Sequence, residues 1–206
     1  IITVEGKRAL HGGTYRIIAD RIVGATYLCA AACCGGEVRL RGVDTRPLST
    51  VSGALSEAGC TVKSGEDDVF LQSDGSLRSI RPVRTAPYPG FPTDMQAPMM
   101  ALALSLRGTS VFLETIFENR FMHAREMVRM GASIRIEDRI ALVSGGHPLG
   151  GTSVTSTDLR GGAALMLCGL LAEGETTLHD PNGQIARGYE DLPGMLRTLG
   201  ASVEEE

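Results

Sequence analysis

Three stretches of this chain are apolar on every side of a helix, and each sits in the same order of polar and apolar positions. The segments "ADRIVGATYLCAAACCGGEVRL" from Ala19, "TDMQAPMMALALSLRGTSVFLE" from Thr93 and "TDLRGGAALMLCGLLAEGETTL" from Thr157 each hold an Asp, a run of Ala, Leu and Met, a Gly and a short extended run. Gly36, Gly108 and Gly174 follow Asp20, Asp94 and Asp158 by 16, 14 and 16 residues. A second, amphipathic helical pattern comes next and ends in "EAGCTV", "RMGASI" or "TLGASV". β-branched or alternating segments precede each Asp ("TYRIIA", "RPVRTA", "TSVTST"), and extended pairs such as "ASIRIEDRIALVSGG" follow the second helix. The pattern therefore predicts an α/β (α+β) fold of three βαβαββ units, about 13–79, 80–147 and 148–206, in a single domain spanning 1–206.

A helix without a polar face has to be buried, so the three Ala/Leu/Met helices are expected inside, with sheets and amphipathic helices such as "REMVRMGA" outside. Each Asp is placed to accept hydrogen bonds from the free N–H groups of the helix that follows, where its charge also suits the helix dipole. The glycines after the helices suit left-handed caps. Pro98 falls in or just past the first turn, where a missing N–H costs least. The third unit stops at "ASVEEE", which leaves its last strand pair short or completed elsewhere.

Composition narrows the function classes. With 206 residues, 43% hydrophobic and 21% charged, the chain can bury an ordinary globular core. No apolar run is long enough for a membrane helix and no signal-peptide layout opens the chain, so a cytoplasmic protein is expected. The net charge of -4 argues against nucleic acid as a partner. The odd cysteine count (Cys29, Cys33, Cys34, Cys60 and Cys168) without CxxC spacing points to buried free thiols. His11, His147 and His179 lack metal-ligand spacing, and the glycine pairs make neither GxGxxG nor a Walker loop. Of the 20 basic residues only Lys7 and Lys63 are lysines, so an anion site here is built from arginine, whose planar fork suits carboxylate and phosphate.

"TDMQA" (93–97), "TIFENRFMH" (115–123), "DLRGGAAL" (158–165) and "ARGYEDL" (186–192) resemble the enolpyruvyl transferase family, in the branch that acts on a nucleotide sugar. The resemblance covers essentially the whole chain. It implies two similar domains, each an inside-out α/β barrel of three βαβαββ units, of which this chain is the C-terminal half. It implies transfer of the enolpyruvyl group of phosphoenolpyruvate to the 3-hydroxyl of UDP-N-acetylglucosamine, with release of phosphate, for peptidoglycan synthesis and without metal or cofactor.

Residue by residue, the resemblance makes Asp94 the carboxylate at the sugar hydroxyl. Arg120 and Arg160 would hold the carboxylate of phosphoenolpyruvate, and Arg187 would face phosphate. Ile116, largely through its backbone, and Phe117 would contact the nucleotide sugar. His123 is expected to be a structural hydrogen-bonding group. The match departs at Ala186, where the family commonly carries Asp, inside the loop "HDPNGQIA". The family's Lys-Asn pair and its loop-borne proton donor fall in the missing N-terminal domain, so the isolated chain is expected not to turn over. Two other readings stay open: an enolpyruvylshikimate phosphate synthase-like domain, and a non-catalytic binding module.

Overall fold

The computed structural model describes residues 1–6 and 9–205. Its first elements are helix α1 (Arg21–Cys34), strand β1 (Gly36–Arg41), helix α2 (Ser49–Ala58), and strands β2 (Thr61–Ser64) and β3 (Asp68–Ser73). A middle set follows, β4 (Val83–Arg84), α3 (Gln96–Ser105), β5 (Gly108–Leu113), α4 (His123–Arg129), β6 (Ser133–Glu137) and β7 (Ile140–Gly145). The last set is β8 (Leu149–Gly150), β9 (Ser153–Thr155), α5 (Leu159–Leu171), β10 (Ala172–Glu173), β11 (Thr177–His179) and α6 (Leu192–Thr198).

The three apolar helices α1, α3 and α5 touch one another and form the middle of the core. Every residue from Gln96 to Leu104 is buried, as expected of a helix with no polar face. The second helix of each set has one apolar stripe: Val51, Leu55 and Ala58 on α2, Ala124 and Met127 on α4, Leu192 and Leu196 on α6. Sheets flank this centre. One runs β1-β3-β2, all antiparallel, and another runs β4-β5-β7-β6, in which β4 lies parallel to β5. In the last set, β8 pairs with β10 and β9 with β11, both parallel.

Three local expectations change. "TYRIIA" is not a strand but an exposed segment, with Tyr15 and Ile17 in water, whereas "RPVRTA" and "TSVTST" do contribute strands β4 and β9. Those two gain a parallel neighbour from beyond their helix, and among the described residues β1 pairs only with β3. Gly36, Gly108 and Gly174 all have positive φ but none caps a helix. α1 closes on Gly35, while α3 and α5 run straight into extended backbone at Leu106 and Ala172. The glycines that end the second helices behave as caps, Gly59 most plainly, with φ 120 and its N–H bonded to Leu55 and Ser56 carbonyls. After α6 there is no final strand pair among the described residues.

The start of α5 is unusually tight. A Cβ on Gly161 would lie 2.5 Å from Thr157 Oγ1 and 3.1 Å from His123 Cβ, and one on Gly162 would lie 2.6 Å from Ile185 Cγ1. The glycine pair thus serves close approach, bringing the start of α4 and the Ile185–Arg187 turn against the first turn of α5.

Candidate active site

Asp20 and Asp158 do what an Asp before a helix is expected to do. Each is extended, and its carboxylate accepts from the second and third N–H groups: Ile22 and Val23 for Asp20, Arg160 and Gly161 for Asp158. Asp94 does not. It lies inside a 3-10 turn, Thr93–Met95, that runs directly into α3, where Met95 occupies the cap position without a side-chain bond. The turn supplies the missing partners itself, since the Met95 N–H donates to Pro92 O (3.0 Å) and the Gln96 N–H donates to Thr93 O.

Released from capping, the Asp94 carboxylate sits between two guanidinium groups. Arg120 Nη2 donates to Oδ1 at 3.0 Å, and Arg160 Nε and Nη2 donate to Oδ2 at 3.3 and 3.2 Å. Arg120 comes from the segment between β5 and α4, and Arg160 from the first turn of α5. The Arg160 side chain is only 9% exposed and that of Arg120 23%, against 37% for Asp94, so the carboxylate is the wetter partner. Two guanidiniums against one carboxylate leave excess positive charge in a half-dry place, which favours an anion. Burial pulls against the charge of Arg160, but Tyr189 and Asp94 outweigh it and hold its proton above the usual arginine range. The phenol of Tyr189 is itself pushed up by burial and stays neutral, so Asp94 is the working counter-ion. Arg160 Nη1 is buried and has no hydrogen-bond partner among the described residues.

Ile116 and Phe117 are 38% and 49% exposed. With Arg21, Tyr88, Pro92, Thr93 and Asp94 they line a cavity of about 380 Å³. The Phe117 ring also faces Arg120, 5.2 Å from Cζ to centroid. Both N–H groups, of Ile116 and of Phe117, donate to Glu114 Oε1, at 2.8 and 3.1 Å.

Glu114 escaped the sequence reading. It is 1% exposed, directly follows β5 and also accepts from Thr85 Oγ1 (2.8 Å) and Thr93 Oγ1 (2.9 Å), so one buried carboxylate ties the cavity wall to the turn that carries Asp94. Only its lone acid character among the apolar residues of "SVFLE" hinted at it. Asp180 was also missed: it accepts from the N–H groups of Gln184 and Ile185 and so shapes the "HDPNGQIA" loop.

Arg187 does not join the cluster. It is exposed, and its Nη1 donates to Gln184 Oε1 at 3.0 Å. Its chain neighbour does run beside the cluster, since a Cβ on Gly188 would lie 3.2 Å from Arg160 Nη1. His123 is 1% exposed, a packed core histidine, and its Nε2 is buried without a hydrogen-bond partner among the described residues. Burial, reinforced by Arg120 and opposed by Asp158, drives its pKa down to about 4. It is neutral at pH 7.

All five cysteines are free; Cys34 is exposed and the others are buried, with burial pushing the Cys168 thiol up to about 12. Among the described residues no group of His, Cys, Asp and Glu could hold a metal, and no helix is long and apolar enough to cross a membrane.

Central apolar helices with flanking sheets, and an arginine-clamped carboxylate between them, define a class. The family profile described as EPSP synthase (3-phosphoshikimate 1-carboxyvinyltransferase) matches residues 1–196, and the chain belongs to that family. Within it, the chain is 48% identical over 202 residues to the UDP-N-acetylglucosamine 1-carboxyvinyltransferase of Xylella fastidiosa (strain 9a5c), covering 98% of this chain and 47% of the relative. The enzyme of the same name from Koribacter versatilis (strain Ellin345) is 46% identical over 203 residues, 98% of this chain and 46% of the relative. The chain therefore spans about half the length of the curated relatives it matches. Among solved structures, the enolpyruvyl transferase NikO from Streptomyces tendae superposes with a TM-score of 0.81 at 28% identity, over 91% of this chain and 44% of that one. EPSP synthase from Acinetobacter baumannii shares the fold, with a TM-score of 0.73 at 18% identity, over 94% and 46%.

Proposed function

We propose that this chain forms one wall of an enolpyruvyl transfer site that takes phosphoenolpyruvate and UDP-N-acetylglucosamine, in a cytoplasmic enzyme of peptidoglycan synthesis. The observation that carries the reading is Asp94, which lines the cavity, held between Arg120 and Arg160, three residues far apart in sequence. In the addition step, the sugar 3-hydroxyl oxygen bonds to C2 of phosphoenolpyruvate, its proton passes toward Asp94, and C3 takes a proton from a donor on the opposite wall. In the elimination step, C3 loses a proton and the C2–O bond to phosphate breaks, restoring the double bond. An ionised carboxylate at hydrogen-bond reach orients and accepts from an alcohol. Arg120 and Arg160 hold the substrate carboxylate, and their charge stabilises the adduct. Arg187 faces phosphate once it leaves Gln184. Ile116 and Phe117 meet the nucleotide sugar; with the Ile116 N–H spent on Glu114, its backbone contact runs through the carbonyl.

The half-length match supports a second wall from another domain and an isolated chain that binds without turnover. Calorimetric titration with UDP-N-acetylglucosamine and with shikimate 3-phosphate tests the substrate class: binding of the first alone supports the reading, and preference for the second replaces it with a shikimate enzyme. Nucleotide-sugar-dependent phosphate release by the chain alone would refute the two-wall arrangement.

A further inference from the structure

We propose that Tyr189 is a positioning residue for Arg160, its ring setting the plane of the guanidinium and its hydroxyl anchoring that ring to α1 through Thr26. The inference rests on the reading of Arg160 as a carboxylate-binding cation. Tyr189 follows the turn that carries Arg187 and is 2% exposed. Arg160 Cζ lies 5.3 Å from the centre of its ring, on the face. The phenol oxygen is 2.9 Å from Thr26 Oγ1, in a helix from the far end of the sequence. Thr26 is fully buried and spends its own hydrogen on Ile22 O at 2.9 Å, so the phenol O–H is the donor and Thr26 the acceptor.

Each contact removes a different freedom. Asp94 holds Nε and Nη2 along one edge, which leaves the guanidinium free to tilt about that edge. A ring against the face stops the tilt. What remains is Nη1, buried, with no hydrogen-bond partner among the described residues and close to Gly188, where a Cβ would lie 3.2 Å from it. Held by Asp94 along one edge and by the ring on its face, the guanidinium keeps one fixed plane. The attraction between a guanidinium and a ring face grows as water is excluded, and Arg160 is the drier of the two arginines.

The test reads the arginine side chain directly. In the NMR spectrum of the chain, the Arg160 Nε–Hε signal is expected to be shifted by the ring current. Y189F keeps that shift and Y189L loses it. Titration with phosphoenolpyruvate follows, with Y189L expected to bind about 10-fold more weakly, and Y189F and T26V about 2-fold. Melting temperatures separate misfolding from misplacement, and Y189W, which retains a ring face, should recover part of the affinity if Y189L is poorly folded. An Arg160 signal unmoved in Y189L, or Y189F as damaging as Y189L, overturns the proposal. R160M separates the two readings: if it binds phosphoenolpyruvate as tightly as the wild type, or the wild type shows no binding, the functional reading fails, while the ring-current shift of wild type against Y189L still decides what Tyr189 holds.

Discussion

Asp158 and Asp94 occupy the same place in the sequence pattern and have opposite fates. Asp158 is extended, sits just before α5 and spends its carboxylate on two N–H groups of that helix. Asp94 lies one turn inside a 3-10 lead-in to α3, where backbone carbonyls already serve the N–H groups, and its carboxylate turns to two guanidiniums instead. The difference arises in the backbone, not in the side chain. A helix that starts without needing its Asp frees a charge for chemistry, and one that needs it does not. Even the supports differ: Asp94 is held through Thr93 and Glu114, while Asp158 sits among the close contacts of Gly161 with Thr157 and His123.

The widest gap between the two should appear in turnover. In an active assembly that includes this chain, Asp94→Asn is expected to lower kcat about 10³-fold, as loss of a positioned proton acceptor does, while Asp158→Asn, still able to cap, changes it little. Comparable losses from both would erase the distinction.

Acid should next expose how dry the start of α5 is. His123 lies against Gly161 with its pKa depressed from 6.5 to about 4. The unfolded chain therefore binds the proton first, so stability is full above pH 6.5 and falls as pH drops toward about 4. The loss is roughly 3 kcal/mol for a shift of this size. Denaturant melts across that range should show a flatter slope in His123→Gln than in the wild type; equal slopes would contradict a neutral buried imidazole.

Removing the hub is expected to cost somewhat less. Glu114→Ala strands the hydroxyls of Thr85 and Thr93 and the N–H groups of Ile116 and Phe117. The cost is about 2 kcal/mol, with faster amide exchange at Ile116 and Phe117. Glu114→Gln should recover most of both, because its oxygen can take the three donors on the Oε1 side while its amide donates to a rotated Thr93 hydroxyl. A glutamine variant as unstable as the alanine one argues that charge, not hydrogen bonding, matters there.

The smallest effect separates caps from non-caps. Asp20→Ala and Asp158→Ala should each lose about 1 kcal/mol in urea melts. Asp94→Ala removes no cap, so helix α3 itself should be unaffected by far-UV circular dichroism.

Much of the architecture could be read from side-chain pattern. Helices with no polar face had to be buried, and α3 is buried throughout. Two of the three Asp residues cap as their position demands. The amphipathic second helices follow from their own spacing. The motif resemblance also picked out Asp94, Arg120 and Arg160 together. What stayed hidden was set by partners distant in sequence. Glu114 matters because four donors from three segments reach it, and locally only its acid character at the end of "SVFLE" marks it. "TYRIIA" has the composition of a strand, yet β1 has no pairing with it. Arg187 lies in a matching motif, but its loop, shaped by Asp180, turns it to Gln184.

Periodicity, apolar runs and cap chemistry act within a few residues, so the sequence alone determined which helices are buried, where two of them begin and that any anion site would be made of arginine. The release of Asp94, the burial of Arg160 against Tyr189 and the gathering of donors on Glu114 were decided by tertiary structure. A charge or a carboxylate gains its partners only when chain segments separated by tens of residues are brought to hydrogen-bond distance.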